Sequence, residues 1–147
     1  MTRHAQKTYL LFTVLVIGGF APIFFMGAAV TTAEVTRWSM DLFDWPLDGQ
    51  TTWAAKETRF LSALTGGFLL GWAVLVWCLR AWVYDLAPEG VRRSVVVSGV
   101  AWYLLDSAGS ILAGVPENAV TNMAILGLAI GPLWWPAKED AAVVQGP

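Results

Sequence analysis

The sequence predicts an all-α integral membrane protein, a four-helix bundle with one long periplasmic loop. Of its 147 residues, 56% are hydrophobic and 14% are charged, whereas a soluble domain carries about 25% charged residues. The apolar residues are concentrated in four runs, each close to the ~20 residues that cross a bilayer as a helix. We therefore expect residues 1–147 to form a single membrane domain.

The four predicted spans cover residues 9–30, 60–83, 94–113 and 119–135. Gly18, Gly19 and Pro22 predict a bend in the first span. The third and fourth spans are joined by only a few residues, so we expect them to form an antiparallel hairpin.

The first span also has features of a signal peptide, because Arg3 and Lys7 precede its apolar run. The run is longer than a usual signal-peptide core, and Thr31-Thr32-Ala33 makes a poor cleavage site. A retained span is therefore the favoured interpretation. Cleavage would leave three spans.

The basic residues predict the orientation of the chain. Cytoplasmic loops of membrane proteins carry an excess of Lys and Arg. One side of this chain would hold six basic residues, Arg3, Lys7, Arg80, Arg92, Arg93 and Lys138, and the other would hold Arg37, Lys56 and Arg59. We therefore expect a protein of the bacterial inner membrane with both termini in the cytoplasm, including the tail 136–147.

The periplasmic loop, residues 31–58, is rich in acidic and aromatic residues. Its residues Glu34 to Phe43 predict a short helix lying at the membrane interface, and Trp45 to Gly49 predict a turn. The spacing of its aspartates does not match a calcium-binding loop, so a solvated loop is the favoured interpretation. Most of the nine tryptophans fall where an aromatic belt is expected.

Few residues suited to catalysis or metal binding are present. The chain has one histidine, His4, and one cysteine, Cys78, so it has too few ligands for a His-rich or Cys-rich metal centre. It has no phosphate-binding loop and no serine-nucleophile elbow. We expect no metal, no cofactor, no enzymatic activity and no nucleic-acid partner.

Asp106 is the most informative polar residue for locating a site, because it lies inside the apolar run 94–113. A carboxylate within a membrane segment usually faces a protein interior and has a partner. Since neighbouring spans run antiparallel, polar residues of three spans are expected at similar depth: Arg59, Ser62, Thr65, Tyr103, Asp106, Ser107, Ser110, Asn118 and Asn122.

This polar cluster has two interpretations. In the first, which is favoured, Asp106 is a buried structural carboxylate that accepts hydrogen bonds and pairs with Arg59. In the second, the cluster binds a ligand or a proton, with Asp106, Ser110 and Asn122 as polar contacts. Trp102 and Tyr103 would then form an aromatic wall, although simple packing is favoured for Trp102 and for Trp72.

Glycines recur at the spacing typical of helix–helix contacts in membranes. The residues expected to support close packing are Gly67, Gly71, Gly109, Gly127 and Gly131. The spacing leaves open whether the facing helix belongs to this chain or to another one.

Several stretches resemble a group of small integral membrane proteins from alphaproteobacteria, some of which carry a DNA-repair excinuclease name. The resemblance covers about Trp45 to Trp134 and rests on 83–93, on 102–110, on Asn118 and Asn122, and on 131–134. It implies the architecture and the inner-membrane setting, and it brings no activity with it.

Taken together, the residues favour a non-catalytic subunit or accessory protein of a larger inner-membrane complex. Its expected partners are membrane lipid and other membrane subunits or a second copy of itself. The alternative is a small transporter or a protein that binds a hydrophobic ligand, such as a quinone or a lipid, at the polar cluster.

Overall fold

The computed structural model describes residues 1–45 and 47–138. Over these residues the chain forms five α-helices and no strand: α1 (Arg3–Met26), α2 (Ala33–Phe43), α3 (Lys56–Cys78), α4 (Pro88–Leu112) and α5 (Glu117–Ile130). A π-helical turn, Leu79–Val83, continues α3, and a 3-10 turn, Gly131–Trp134, continues α5. Pro46 of the predicted turn and most of the predicted tail, 139–147, lie outside the described residues.

Three helices are long and apolar enough to cross a membrane: α1, α3 with its π-helical turn, and α4. This confirms the all-helical prediction and indicates a membrane protein. The fourth predicted span is an α-helix over only part of its length, because α5 has 14 residues and the 3-10 turn Gly131–Trp134 follows it. At 1.5 Å per residue α5 covers only about 21 Å.

All five helices begin before their predicted bounds, and the difference is largest for α1 and α4. The hydroxyl of Thr2 accepts a hydrogen bond from the Ala5 backbone N–H, at 3.2 Å, and so caps the start of α1. Helix α4 begins at Pro88, where a proline fits because the first helical N–H needs no partner. The predicted spans leave the charged residues that follow Pro88 in a loop, but these residues form the first turns of α4.

The main packing unit is the close pairing of α1 with α3. A Cβ atom built on Gly66 would lie 2.8 Å from the Ala21 carbonyl oxygen and 2.9 Å from the Phe25 nitrogen. Nearby, the hydroxyl of the buried Ser62 donates to the Phe24 carbonyl at 2.5 Å. The two backbones therefore touch at Gly66.

Helices α4 and α5 form the second pair, and α1 also contacts α5, which joins the two pairs. The predicted hairpin turns at Gly114, whose φ of 86° favours glycine. Gly99 of α4 lies against α5, since a Cβ there would meet Leu126 at 3.3 Å.

The glycines expected to support packing do not lie at the contacts between the helices of this chain. A Cβ atom built on any of five glycines would meet nothing within 4 Å: Gly67, Gly71, Gly109, Gly127 and Gly131. Close contacts within this chain are made instead at other glycines: Gly18, Gly27, Gly66 and Gly99.

Buried polar side chains hold the helices together near the start of α1. Gln6 donates to the Trp135 carbonyl at 3.3 Å and accepts from the Tyr84 hydroxyl at 2.8 Å. The guanidinium of Arg92 donates to the Leu133 carbonyl at 2.8 Å. These hydrogen bonds hold the residues that follow α5 against α1 and α4. In addition, the Lys138 N–H donates to the Met1 carbonyl at 2.9 Å, so residues 1 and 138 lie side by side.

Helix α2 is present where the sequence predicts a short helix, starting one residue earlier, at Ala33. The hydroxyl of Thr36 donates to the Ile23 carbonyl at 2.5 Å and ties α2 to α1. The carboxylate of Asp41 accepts from the Gly49 N–H at 3.0 Å, so this aspartate organises the following loop. In the first turn of α2, hydrogen bonds from Arg37 lower the pKa of the Glu34 carboxyl.

Adjacent glycines of α3 test the α1–α3 contact. Gly66→Ala is expected to lower the thermal unfolding midpoint clearly, because its Cβ would press on the α1 backbone; overpacking costs about 1–3 kcal/mol. Gly67→Ala is the matched control and should leave the midpoint unchanged or raise it, since alanine favours helix by up to about 1 kcal/mol. Circular dichroism in a mild detergent measures both. Equal midpoints for the two variants would contradict the contact.

Candidate functional site

A cavity of about 310 Å³ lies between the α1–α3 pair and the α4–α5 pair. Residues of all five helices line it, and most of them are apolar. Its apolar wall includes Ile17, Phe20 and Phe24 of α1, Met40 and Phe43 of α2, Leu69 of α3, and Ile125 and Leu126 of α5.

The polar part of the cavity is built by Asp106 and three neighbours. Oδ2 of Asp106 accepts hydrogen bonds from Nδ2 of Asn122 at 2.5 Å and from Nδ2 of Asn118 at 3.4 Å. Asn118 also donates to Oγ of Ser110 at 2.8 Å. The structure therefore brings together four of the predicted residues on α4 and α5.

The hairpin positions these side chains. Asp106 and Ser110 are one turn apart on α4, and Asn118 and Asn122 are one turn apart on α5, so each pair shares a helix face. The tight turn at Gly114 then sets the two faces opposite each other. Ser107, which is buried, accepts from Asn122 at 3.4 Å and completes the network.

Burial differs between the two central residues. Asn122 is 3% exposed, whereas Asp106 is classed as exposed although it lines the cavity. The expectation of a buried structural carboxylate is therefore corrected for this chain: the carboxylate lies at the edge of the cavity. Helices α3 and α4 do not pack closely enough there to cover it.

Two tryptophans contact each other in the wall of the cavity. Trp72 of α3 and Trp102 of α4 both line it, with ring centroids 6.1 Å apart and ring planes inclined by 52°. They pack against each other, as favoured, and they also form part of the wall that a bound molecule would contact. Trp102 lies one helical turn before Asp106 on the same face.

Four other predicted residues lie apart from the hydrogen-bonded network. Arg59 donates to the Ala54 carbonyl at 2.5 Å, and the ion pairs among the described residues do not include it with Asp106. The expected Arg59–Asp106 pair is therefore wrong, because the guanidinium turns back onto its own helix start. Ser62 belongs to the α1–α3 contact. Thr65 lines the cavity but donates to the Leu61 carbonyl at 2.9 Å, and among the described residues Tyr103 is not part of the lining.

Residues of α1 and α2 also line the cavity, which the sequence pattern does not predict. Phe20 and Phe24 are one turn apart on α1, and Met40 and Phe43 lie on one face of α2. The spacing of the two phenylalanines was a usable signal, but phenylalanine is equally common on lipid-facing surfaces. The described residues contain no group of three or more His, Cys, Asp or Glu placed to hold a metal ion.

No family model, no curated protein and no solved structure matches this chain. The chemistry of the site is therefore read from its own geometry. It combines an apolar space, an acceptor carboxylate and amide groups, which together suit a molecule with one polar end.

A double-mutant cycle tests the Asp106–Asn122 contact. Replacing either residue by alanine should lower unfolding stability, and the pair should show a coupling energy of about 1 kcal/mol, within the range for polar contacts in membrane proteins. The matched cycle of Asp106 with Asn118 should give a smaller value, because that contact is longer and Asn118 also bonds Ser110. Equal coupling energies in the two cycles would contradict the described network.

Proposed function

We propose that this protein binds a small amphiphilic molecule in the cavity between its helix pairs, with the polar end of the molecule at Asp106 and its apolar part along the aromatic wall. The observation that carries the proposal is a cavity of about 310 Å³ whose lining is apolar except for Thr65 and the group Asp106, Ser110, Asn118 and Asn122. Ligand pockets typically measure about 300–1,000 Å³ and combine apolar walls with a few polar groups. The volume suits a head group and a short apolar segment.

We further propose that the chain makes four passes through the bacterial inner membrane as a single domain, with both ends in the cytoplasm. The contact between Met1 and Lys138 supports an even number of passes, because three passes would separate the two ends by the membrane. Helix α5 and the 3-10 turn together span about 29 Å, close to a ~30 Å hydrocarbon core. The excess of basic residues near the two ends supports the orientation.

A variant that fills the cavity tests the ligand-binding proposal. Thr65→Phe places a ring in the cavity without removing any hydrogen bond to Asp106. We expect protein purified in a mild neutral detergent to retain a lipophilic molecule, detected by mass spectrometry, and the Thr65→Phe variant to retain at least about tenfold less. Leu64→Phe is the matched control, because Leu64 is exposed on the outside of α3. Equal retention by both variants, or none by the wild type, would overturn the proposal.

A second candidate function is that of a non-catalytic subunit or accessory protein in a larger membrane complex. It is favoured by glycines with open space beside them, since a Cβ atom built on Gly67 or Gly71 of α3, on Gly127 of α5 or on Gly131 of the 3-10 turn would meet nothing within 4 Å. Small residues on an uncovered helix face allow another helix to approach closely.

The subunit role predicts that a membrane partner, or a second copy of the chain, co-purifies in mild detergent. Gly67→Leu and Gly127→Leu should each reduce the co-purified amount strongly, because a leucine would hold the partner helix away. Since both positions have open space in this chain, the variants should keep the wild-type unfolding midpoint. Leu61→Ile, on an exposed position of α3, is the control that should retain the partner. Unchanged co-purification by both glycine variants would contradict the role of these faces.

A further inference from the structure

Asp106 carries a negative charge for which the described residues offer no cation. Their ion pairs join Lys7 to Asp85, Arg37 to Glu34, and both Arg92 and Arg93 to Glu89, and none of them reaches Asp106. Arg59, the basic residue expected to pair with it, is bonded to the Ala54 carbonyl. The neighbours of Asp106 are neutral amides and a hydroxyl.

The hydrogen bonds of Asp106 leave one carboxylate oxygen available. Asn118 and Asn122 both donate to Oδ2, and among the described residues no side-chain hydrogen bond reaches Oδ1. The two amides therefore fix the orientation of the carboxylate while leaving its charge uncompensated. A carboxylate in an apolar setting is stabilised most by a positively charged partner.

The aromatic residues beside Asp106 also suit a cation. Trp102 lies one turn away on the same face of α4, and Trp72 packs against it inside the same cavity. Tryptophan is the side chain whose ring face attracts ammonium groups most strongly. The rest of the wall is apolar and suits an alkyl chain.

From this charge complementarity we infer that the ligand is an amphiphilic cation, whose ammonium group lies against Asp106 and Trp102 and whose alkyl part lies along Phe20 and Phe24. The inference rests on the proposed function, and it adds the charge and the chemical class of the head group. The same chemistry is present in an aminolipid head group and in a free alkyl ammonium compound.

Three photoreactive probes with the same dodecyl chain, each carrying a diazirine, test this inference. Their heads are trimethylammonium, hydroxyl and sulfate. Each is added to the full-length protein in the same neutral maltoside detergent, and labelled residues are mapped by mass spectrometry. We expect the trimethylammonium probe to label cavity residues at least about tenfold more than the sulfate probe and clearly more than the hydroxyl probe, because the Asp106 carboxylate complements a positive head group and repels a negative one.

Two variants test whether the preference for the ammonium head depends on Asp106. Asp106→Asn should remove the preference for the ammonium head, since the amide has the shape of the carboxylate without its charge. Glu117→Gln is the matched control: it removes an exposed acid at the start of α5, outside the cavity lining, and should leave the preference intact. The comparison of the three heads on the wild-type protein stays decisive even if Asp106→Asn does not fold.

The outcomes separate the inference from the proposed function. Equal labelling of the cavity by all three heads would overturn the inference and support amphiphile binding without charge selection. Labelling that never reaches the cavity, or that the Thr65→Phe variant does not reduce, would overturn both.

Competition identifies the source of the ammonium group. If phosphatidylethanolamine displaces the trimethylammonium probe and phosphatidylglycerol does not, the head group belongs to a lipid. If only a soluble alkyl ammonium compound displaces it, the ligand is a free amphiphile. Either result supports the ammonium site, and displacement by phosphatidylglycerol to the same extent would overturn it.

Discussion

The arrangement of the helices depends on one requirement: polar groups buried among apolar helices need partners within the protein. Near the start of α1 this requirement is met by long side chains that reach backbone carbonyls near the end of the described chain. Gln6 contacts the Trp135 carbonyl, and Arg92 contacts those of Leu133 and Trp134. The last helical turn therefore gains donors that its own helix does not supply, and the two helix pairs are joined there.

At the far side of the helices the situation differs, because the polar groups bond to one another across a single hairpin. Asp106 is held by amides of α5, and no described residue of α1 or α3 shares in these hydrogen bonds. Helices α1 and α3 pack directly against each other at Gly66. The cavity lies between the two pairs, and its polar edge belongs to the α4–α5 pair only.

Much of the fold could be predicted from the sequence, because long apolar runs indicate helices and a short connection indicates a hairpin. The grouping of Asp106 with Ser110, Asn118 and Asn122 followed from helical spacing within that hairpin. The rotation of each helix could not be predicted, since helices surrounded by lipid and protein are apolar on every side and show little amphipathic pattern. For that reason Gly66 rather than Gly67 makes the close contact, and Arg59 turns away from Asp106.

The long-range hydrogen bonds of α1 have a consequence for biosynthesis. The hydroxyls of Tyr9 and Thr13 donate to carbonyls of Leu128 and Ala129, more than one hundred positions further along the chain. A ribosome releases α1 well before these acceptors. The Tyr9 and Thr13 hydroxyls of α1 therefore cannot reach these final partners until α5 has been synthesised. Assembly of the described fold is consequently a late event that follows synthesis of α5, and a chain halted after α4 lacks the contacts that join its halves.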